Sequence, residues 1–313
     1  MFKTYESKLF LLIILFIILT TFLSDDFLKT RNIQNILFAI SVEGLMVIGM
    51  TIVMIGRGFD LSIGSVMALS GVLVMDCQHL GIIPSCLIGV LAGLILGLFN
   101  GFLVAYIKIN PFISTLGTMV MVRGLVMTYT NARPAVGENF DFMMLAREKF
   151  FGVPLLFIIF LFFSIIFIII IKRTLYGRYI YALGGNEEAL RLSGVNVKII
   201  KLSSYAICGF FAGLAGVILA ARLNTGSPII GEKTALNVIA AVLLGGTTLS
   251  GGVGSIFGSL CGLFSIGITI NVMNIFNIQS YIQKIFIGIL LILLILYLFL
   301  RRSTHYIRQL IFC

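Results

Sequence analysis

The sequence predicts an all-α polytopic membrane protein with about ten transmembrane helices and both termini in the cytoplasm. Three observations carry that fold class: an apolar composition, charge-free blocks long enough to cross a bilayer, and an uneven distribution of Lys and Arg. The chain of 313 residues is 59% hydrophobic and only 11% charged, with a mean hydropathy of +1.13. A soluble domain carries about 25% charged residues. Residues 77–107, 150–171, 202–221 and 234–283 contain no Asp, Glu, Lys or Arg. A helix needs about 20 apolar residues to cross a bilayer, so the longest block holds more than one crossing.

Charges, prolines and glycine-polar breaks divide the chain into spans at roughly 9–23, 36–56, 62–76, 85–107, 112–129, 153–171, 202–221, 235–247, 254–276 and 283–300. The first run follows Lys3 and Lys8 in the manner of a signal peptide. It ends in Ser24-Asp25-Asp26-Phe27 without a small-residue cleavage pattern, and is read as a retained span. An even number of crossings puts both termini on one side.

Lys and Arg stay on the cytoplasmic side of short loops. The largest cluster, Lys172, Arg173, Arg178, Arg191, Lys198 and Lys201, makes 172–201 a cytoplasmic loop, with Arg301, Arg302 and Arg308 on the same side. The net charge of +10 is then membrane topology plus attraction to anionic lipid, and it calls for no nucleic acid. Loops of at most about 30 residues are too short to fold alone, so residues 1–313 form one transmembrane domain. No G-x-x-x-x-G-K-[ST] phosphate loop occurs, so the chain does not itself hydrolyse ATP. Cys77, Cys86, Cys208, Cys261 and Cys313 show no metal spacing or pairing pattern, and His79 and His305 are isolated. No metal and no cofactor is expected.

Glycine falls in register at Gly89, Gly93, Gly97 and Gly101, at Gly209, Gly213 and Gly216, and at Gly254, Gly258 and Gly262. Small residues let helices approach closely inside lipid, so these stripes are expected to be helix–helix contact faces. Two glycine-polar interruptions stand apart, Gly56–Ser65 and Gly245–Ser255. Both contain Leu-Ser followed by glycine and a Gly-Ser, a hint of internal duplication. Either they are tight turns or they border a pathway, because non-helical backbone at depth must be buried or line water.

Few polar side chains interrupt the spans. Asp60, Ser62, Asn100, Asn237, Thr247, Thr248, Asn271 and Asn274 are the candidates for a substrate pathway, with Ser114, Thr115 and Thr118 near the start of the fifth span. Asn271 and Asn274 share a helix face. Arg57 and Asp60 are expected to bridge each other. Glu43 is the lone carboxylate within a span, either a proton carrier or a neutralised or snorkelling side chain near a helix end. No paired acid and base or metal constellation supports a membrane-embedded enzyme.

The cytoplasmic loop contains Ala182-Leu-Gly-Gly-Asn-Glu-Glu-Ala-Leu-Arg-Leu-Ser-Gly194. Asn186 reads as an N-cap, Glu187 and Glu188 suit the first turn, and Gly194 suits the C′ position. Such a short helix is marginal in water, so it docks on its own bundle, on the membrane surface or on a partner.

Together with Tyr176-Gly177-Arg178 and Leu192–Val197, this segment resembles the cytoplasmic signature of the ribose-type sugar permeases. The resemblance extends to Gly58–Ser65, Asn110–Thr118 and Ala240–Gly252, covering about residues 40–300. These permeases are membrane subunits of ATP-binding cassette (ABC) importers. The resemblance implies a coupling helix at 186–193 that inserts into a cytoplasmic ATPase, which carries the ATP and Mg. Gly184, Gly185, Asn186, Glu187, Glu188, Leu190, Leu192, Ser193 and Gly194 would form that contact. It further implies a second permease subunit, a periplasmic or lipid-anchored sugar-binding protein, and a place in the bacterial inner membrane.

The expected cargo is ribose, another pentose or hexose, or a sugar derivative. The chain has no Trp for stacking, which suits a transporter whose affinity resides in its binding protein. The outer loop 130–152 is the candidate for docking that protein, through Arg133, Glu138, Asp141, Arg147 and Lys149. The rival reading is a secondary transporter of a small polar solute, coupled to protons through Glu43.

Overall fold

The computed structural model of the chain describes residues 2–232, 234–293 and 296. Lys233, the end of the tenth apolar run, and Arg301, Arg302, His305, Arg308 and Cys313 lie outside the described residues. The helices follow the apolar blocks: α1 (Phe2–Leu23), α2 (Thr30–Ile55), α3 (Ile63–Asp76), α4 (Ile82–Ala105), α5 (Pro111–Thr130), α6 (Phe140–Arg147), α7 (Leu155–Arg173), α8 (Leu175–Gly185), α9 (Glu187–Leu192), α10 (Val197–Leu223), α11 (Thr234–Leu244), α12 (Ile256–Ile275) and α13 (Ser280–Leu293). Among the described residues, seven stretches are long and apolar enough to cross a membrane: α2, α3 with its trailing 3-10 turn, α4, α5, α7, α10 and α12. The apolar stretch of α1 (Leu9–Phe22), α11 and α13 are shorter.

α10 lies at the centre, with Tyr205, Cys208 and Phe211 buried, and packs on α2, α3 and α4. Two of the expected glycine stripes interlock with each other. A methyl placed on Gly97 would meet the Cα of Gly209 at 2.9 Å, and one on Gly93 the Cα of Gly213 at 2.7 Å. The third stripe packs on α11, where Gly262 abuts the Ala241 carbonyl and Gly245 abuts Gly258. Lipid gives helices no hydrophobic reason to associate, so this backbone-level fit is what closes the bundle.

The span expected at 235–247 is corrected. α11 has 11 residues, about 16 Å at 1.5 Å per residue, well short of a hydrocarbon core of about 30 Å. The chain before α11, from Asn224 to Glu232, runs beside α3 without forming a helix: Gly226 abuts Gly71 and Gly231 abuts Gly64. Arg123, in the middle of α5, donates to the carbonyls of Pro228 and of Ile230, the latter at 2.9 Å. That is how non-helical backbone is tolerated at depth.

The expected outer loop is also more ordered than a loop. Asn139 caps α6 by accepting from the Asp141 and Phe142 amides. Two small antiparallel pairs brace it, β1 (Ala135–Val136) with β4 (Thr225–Gly226) and β2 (Lys149–Phe150) with β3 (Val153–Pro154).

Candidate functional site

Both glycine-polar breaks and the loop containing α8 and α9 meet at one end of the bundle. Thr174 and Asn186 cap the two helices, Asn186 Oδ1 accepting from the Ala189 amide at 3.0 Å. Gly194 follows with φ +82°, the left-handed conformation that glycine takes without strain. The cap and stop therefore fall where the residue types placed them. α8 was not legible as a helix, although Tyr176, Ile180 and Leu183 recur at helical spacing.

α9 docks on its own chain through Leu190, which is 6% exposed and packs with Leu183 and Val197. Of the two leucines expected to face a partner, only Leu192, 76% exposed, projects outward. Its spacing from Leu190 is too short to share a helix face. Leu190 instead forms the floor of an open concavity of about 410 Å³, lined also by Ala182, Gly185, Asn186, Ala189 and Ser193. Glu187 meets Lys201 at 2.7 Å and Glu188 meets Arg191 at 2.5 Å. The hydrogen bond from Arg191 holds the Glu188 carboxyl below the usual carboxylate range. Both acids are thus paired within the chain, and all of these charges stay at the surface.

Behind this loop lies a junction of three segments. The Gly252 amide donates to the Ile55 carbonyl at 2.8 Å, and Gly184 abuts both the Ile55 carbonyl and the Gly252 backbone. Tyr181 donates its hydroxyl to the Gly254 carbonyl at 2.8 Å. Arg57 packs on Gly251, whose added Cβ would lie 2.7 Å from that of Arg57.

The first break does not stay at the end of the bundle. Asp60 is 1% exposed and lies beside Cys208. Cys208 in turn abuts Gly49, six residues before the end of α2, about 9 Å along the helix. The break therefore folds back between the helices. Asp60 Oδ1 accepts from the Ser62 amide at 2.9 Å, the Ser62 hydroxyl at 2.6 Å and Asn100 Nδ2 at 3.5 Å, and Asn100 also donates to Ser62 Oγ at 2.9 Å. The Leu61 amide donates to Thr115, and Tyr205 holds both the amide and the carbonyl of Phe59. The expected Arg57–Asp60 bridge is not formed. Arg57 has φ 62° and points out to solvent, because a buried carboxylate finds its donors in the knot that folds around it.

The other candidate pathway residues fall in separate places. Asn237 donates to Glu43 at 3.1 Å. Asn271 and Asn32 exchange hydrogen bonds at 2.8 and 3.1 Å, whereas Asn274 accepts from Gln283 at 2.7 Å. Thr247 pairs with Ser259 at 3.2 Å and Thr248 caps its own turn at Gly251. Ser114 and Thr118 are buried with no hydrogen-bond partner among the described residues. Glu43 is not near a helix end, since α2 begins at Thr30 and places it mid-helix.

At the opposite end, Arg133, Glu138, Asp141, Arg147 and Lys149 are all exposed. Gln78 ties their segment down by accepting from the Glu138 and Asn139 amides at 2.8 and 2.9 Å, and Lys149 donates to Gln34 at 2.9 Å.

Apolar helices interrupted by glycine-rich breaks and packed backbone to backbone define a helical membrane protein of the transport class. The chain belongs to the family described as branched-chain amino acid transport system / permease component, whose model matches residues 32–295. It is 38% identical over 291 residues to the Ribose import permease protein RbsC of Bacillus subtilis (strain 168), covering 92% of this chain and 90% of that one. It is 40% identical over 289 residues to the protein of the same name from Haemophilus influenzae, covering 90% and 88%. The D-allose transport system permease protein AlsC of Escherichia coli (strain K12) is 36% identical over 286 residues, covering 90% and 88%. No solved structure matches the chain.

Proposed function

We propose that this chain is the membrane subunit of an ABC importer that carries a ribose-type monosaccharide across the bacterial inner membrane. It is a transporter subunit rather than an enzyme. The observation that carries the reading is identity of 36–40% to ribose and allose permeases over nine-tenths of the chain. ATP hydrolysis belongs to a separate ATPase and sugar capture to a binding protein, with a second permease subunit completing the pathway.

α9 and its concavity are the coupling contact. A short helix whose inner face is buried and whose outer face holds Leu192 and balanced charges suits a cleft in a soluble partner. The junction of Gly184, Ile55 and Gly252 lies directly behind it, so movement of α8 and α9 reaches both breaks through backbone contact. The Lys and Arg cluster at 172–201 puts this end on the cytoplasmic side and α6, at the opposite end, outside, where its charged rim meets the binding protein.

Reconstitution of the permease with its ATPase and binding protein in vesicles tests the reading. Labelled ribose or a related sugar should enter only when all three proteins and ATP are present. Uptake by the permease alone under a proton gradient would replace this function with the secondary transporter.

A further inference from the structure

Beyond its first two turns, from Phe38 to Ile55, α2 is buried except at Ala39 and Glu43. Asn32, Ile36, Ala39 and Glu43 recur at intervals of four, three and four, which puts them on one helix face. Ala39 is exposed and the other three are partly exposed. From Gly44 to Ile55 every residue is buried. The open face of α2 therefore narrows to Ala39 and Glu43 and stops at the Glu43–Asn237 pair.

A carboxylate that retains accessibility at the middle of a span cannot face hydrocarbon cheaply, because polar groups at that depth turn toward protein or water. Asn237 comes from the short α11, which irregular chain precedes, so the pair sits where the helical wall is discontinuous. Its hydrogen-bonding capacity is also unfilled. Asn237 uses one N–H on Glu43 Oε1. The second N–H, the amide oxygen and Glu43 Oε2 have no partner among the described residues. One carboxylate beside one carboxamide presents acceptors and a donor to neighbouring hydroxyls, with no aromatic platform to hold them tightly.

We propose that Glu43 and Asn237 form a weak hydroxyl-binding station at the inner end of a water-filled track along α2, through which the sugar passes. This rests on the importer reading above and adds to it the place where the permease itself touches cargo. The buried half of α2 and the Asp60 knot close the track below the station.

Uptake in vesicles containing permease, ATPase and binding protein tests it, using Glu43→Gln, Glu43→Ala, Asn237→Ala and Ala39→Phe. Glu43→Ala and Asn237→Ala should lower sugar uptake at least tenfold while stimulated ATP hydrolysis continues, and Glu43→Gln should retain most uptake because an amide still accepts. Ala39→Phe should block the track without touching packed residues. Ala39→Cys should react with a membrane-impermeant thiol reagent more than the unsubstituted protein does. Parental uptake in Glu43→Ala, Asn237→Ala or Ala39→Phe overturns the station. So does loss in Glu43→Gln matched by rescue in Glu43→Asp, which marks a proton carrier. Absent labelling at Ala39→Cys, or its cross-linking to a second copy, shows the open face to be covered and ends the proposal. Failure of the importer reading would instead appear in the unsubstituted protein, as uptake that needs no ATPase.

Discussion

The Gly252 amide donates to the Ile55 carbonyl across 2.8 Å, joining two glycine-rich breaks from opposite parts of the chain. Gly184 lies against the same two residues. Three segments thus share one backbone contact with no room for a side chain, and the loop that bears α9 cannot shift without disturbing it.

Adjacent glycines should therefore behave oppositely. A methyl at position 184 meets the Ile55 carbonyl, while one at 185 meets nothing within 4 Å. Gly184→Ala should destabilise by about 1–3 kcal/mol, the usual cost of overpacking, and reduce uptake. Gly185→Ala should be near neutral. Parental thermal stability and uptake in Gly184→Ala would remove the junction from the coupling route.

Gly194 tests the backbone alone. Its φ is +82° and open space surrounds it, so Gly194→Val adds no clash but strains the turn by about 1 kcal/mol or more. Co-purification of the ATPase should fall for Gly194→Val and fall less for Gly194→Asn, which tolerates that conformation better.

The surface pairs on α9 can be separated from partner contacts by exchange. Glu187→Lys should weaken coupling, and Glu187→Lys with Lys201→Glu should recover it if the pair acts within the chain. Persisting loss in the exchanged pair would mean that a partner reads Glu187 directly. Because the folded pKa of Glu188 is depressed, its pair with Arg191 contributes fully above the ordinary carboxylate pKa of about 4.3. That contribution disappears as pH falls through the lower folded value. ATPase co-purification should accordingly be flat between about pH 6 and 8.

The knot at Asp60 should be structural before it is anything else. Asp60→Ala strips acceptors from Ser62 and Asn100 in a buried site, costing about 3 kcal/mol or more. Asp60→Asn keeps one acceptor oxygen and should lose less. Melting of the purified permease in detergent distinguishes them; equal melting temperatures would mean that the carboxylate is not needed to hold the break.

Charge reversal at Arg133 or Arg147 should lower binding-protein-stimulated ATP hydrolysis and change its salt dependence, leaving ATP hydrolysis without binding protein unaltered. Unchanged stimulation would free α6 of the docking role.

The sequence by itself determined the class, the positions of the apolar helices, the glycine faces and the helix that Asn186 starts and Gly194 stops. These are local or periodic properties: twenty apolar residues, a four-residue repeat, a side chain capping amides three positions on. Only the tertiary structure decided what each polar residue touches. Arg57 and Asp60 are three apart, yet the carboxylate turns inward to Ser62, Asn100 and Cys208. Leu190 and Leu192 look alike in sequence, yet one is core and the other surface. Asn237 reaches Glu43 from the short α11, and the irregular chain before that helix fits because Gly64 and Gly71 give it room and Arg123 satisfies its carbonyls. The pairings of Asp60 with Asn100 and of Asn237 with Glu43 join residues dozens to hundreds of positions apart. They follow from which backbones can approach, and no local period records that.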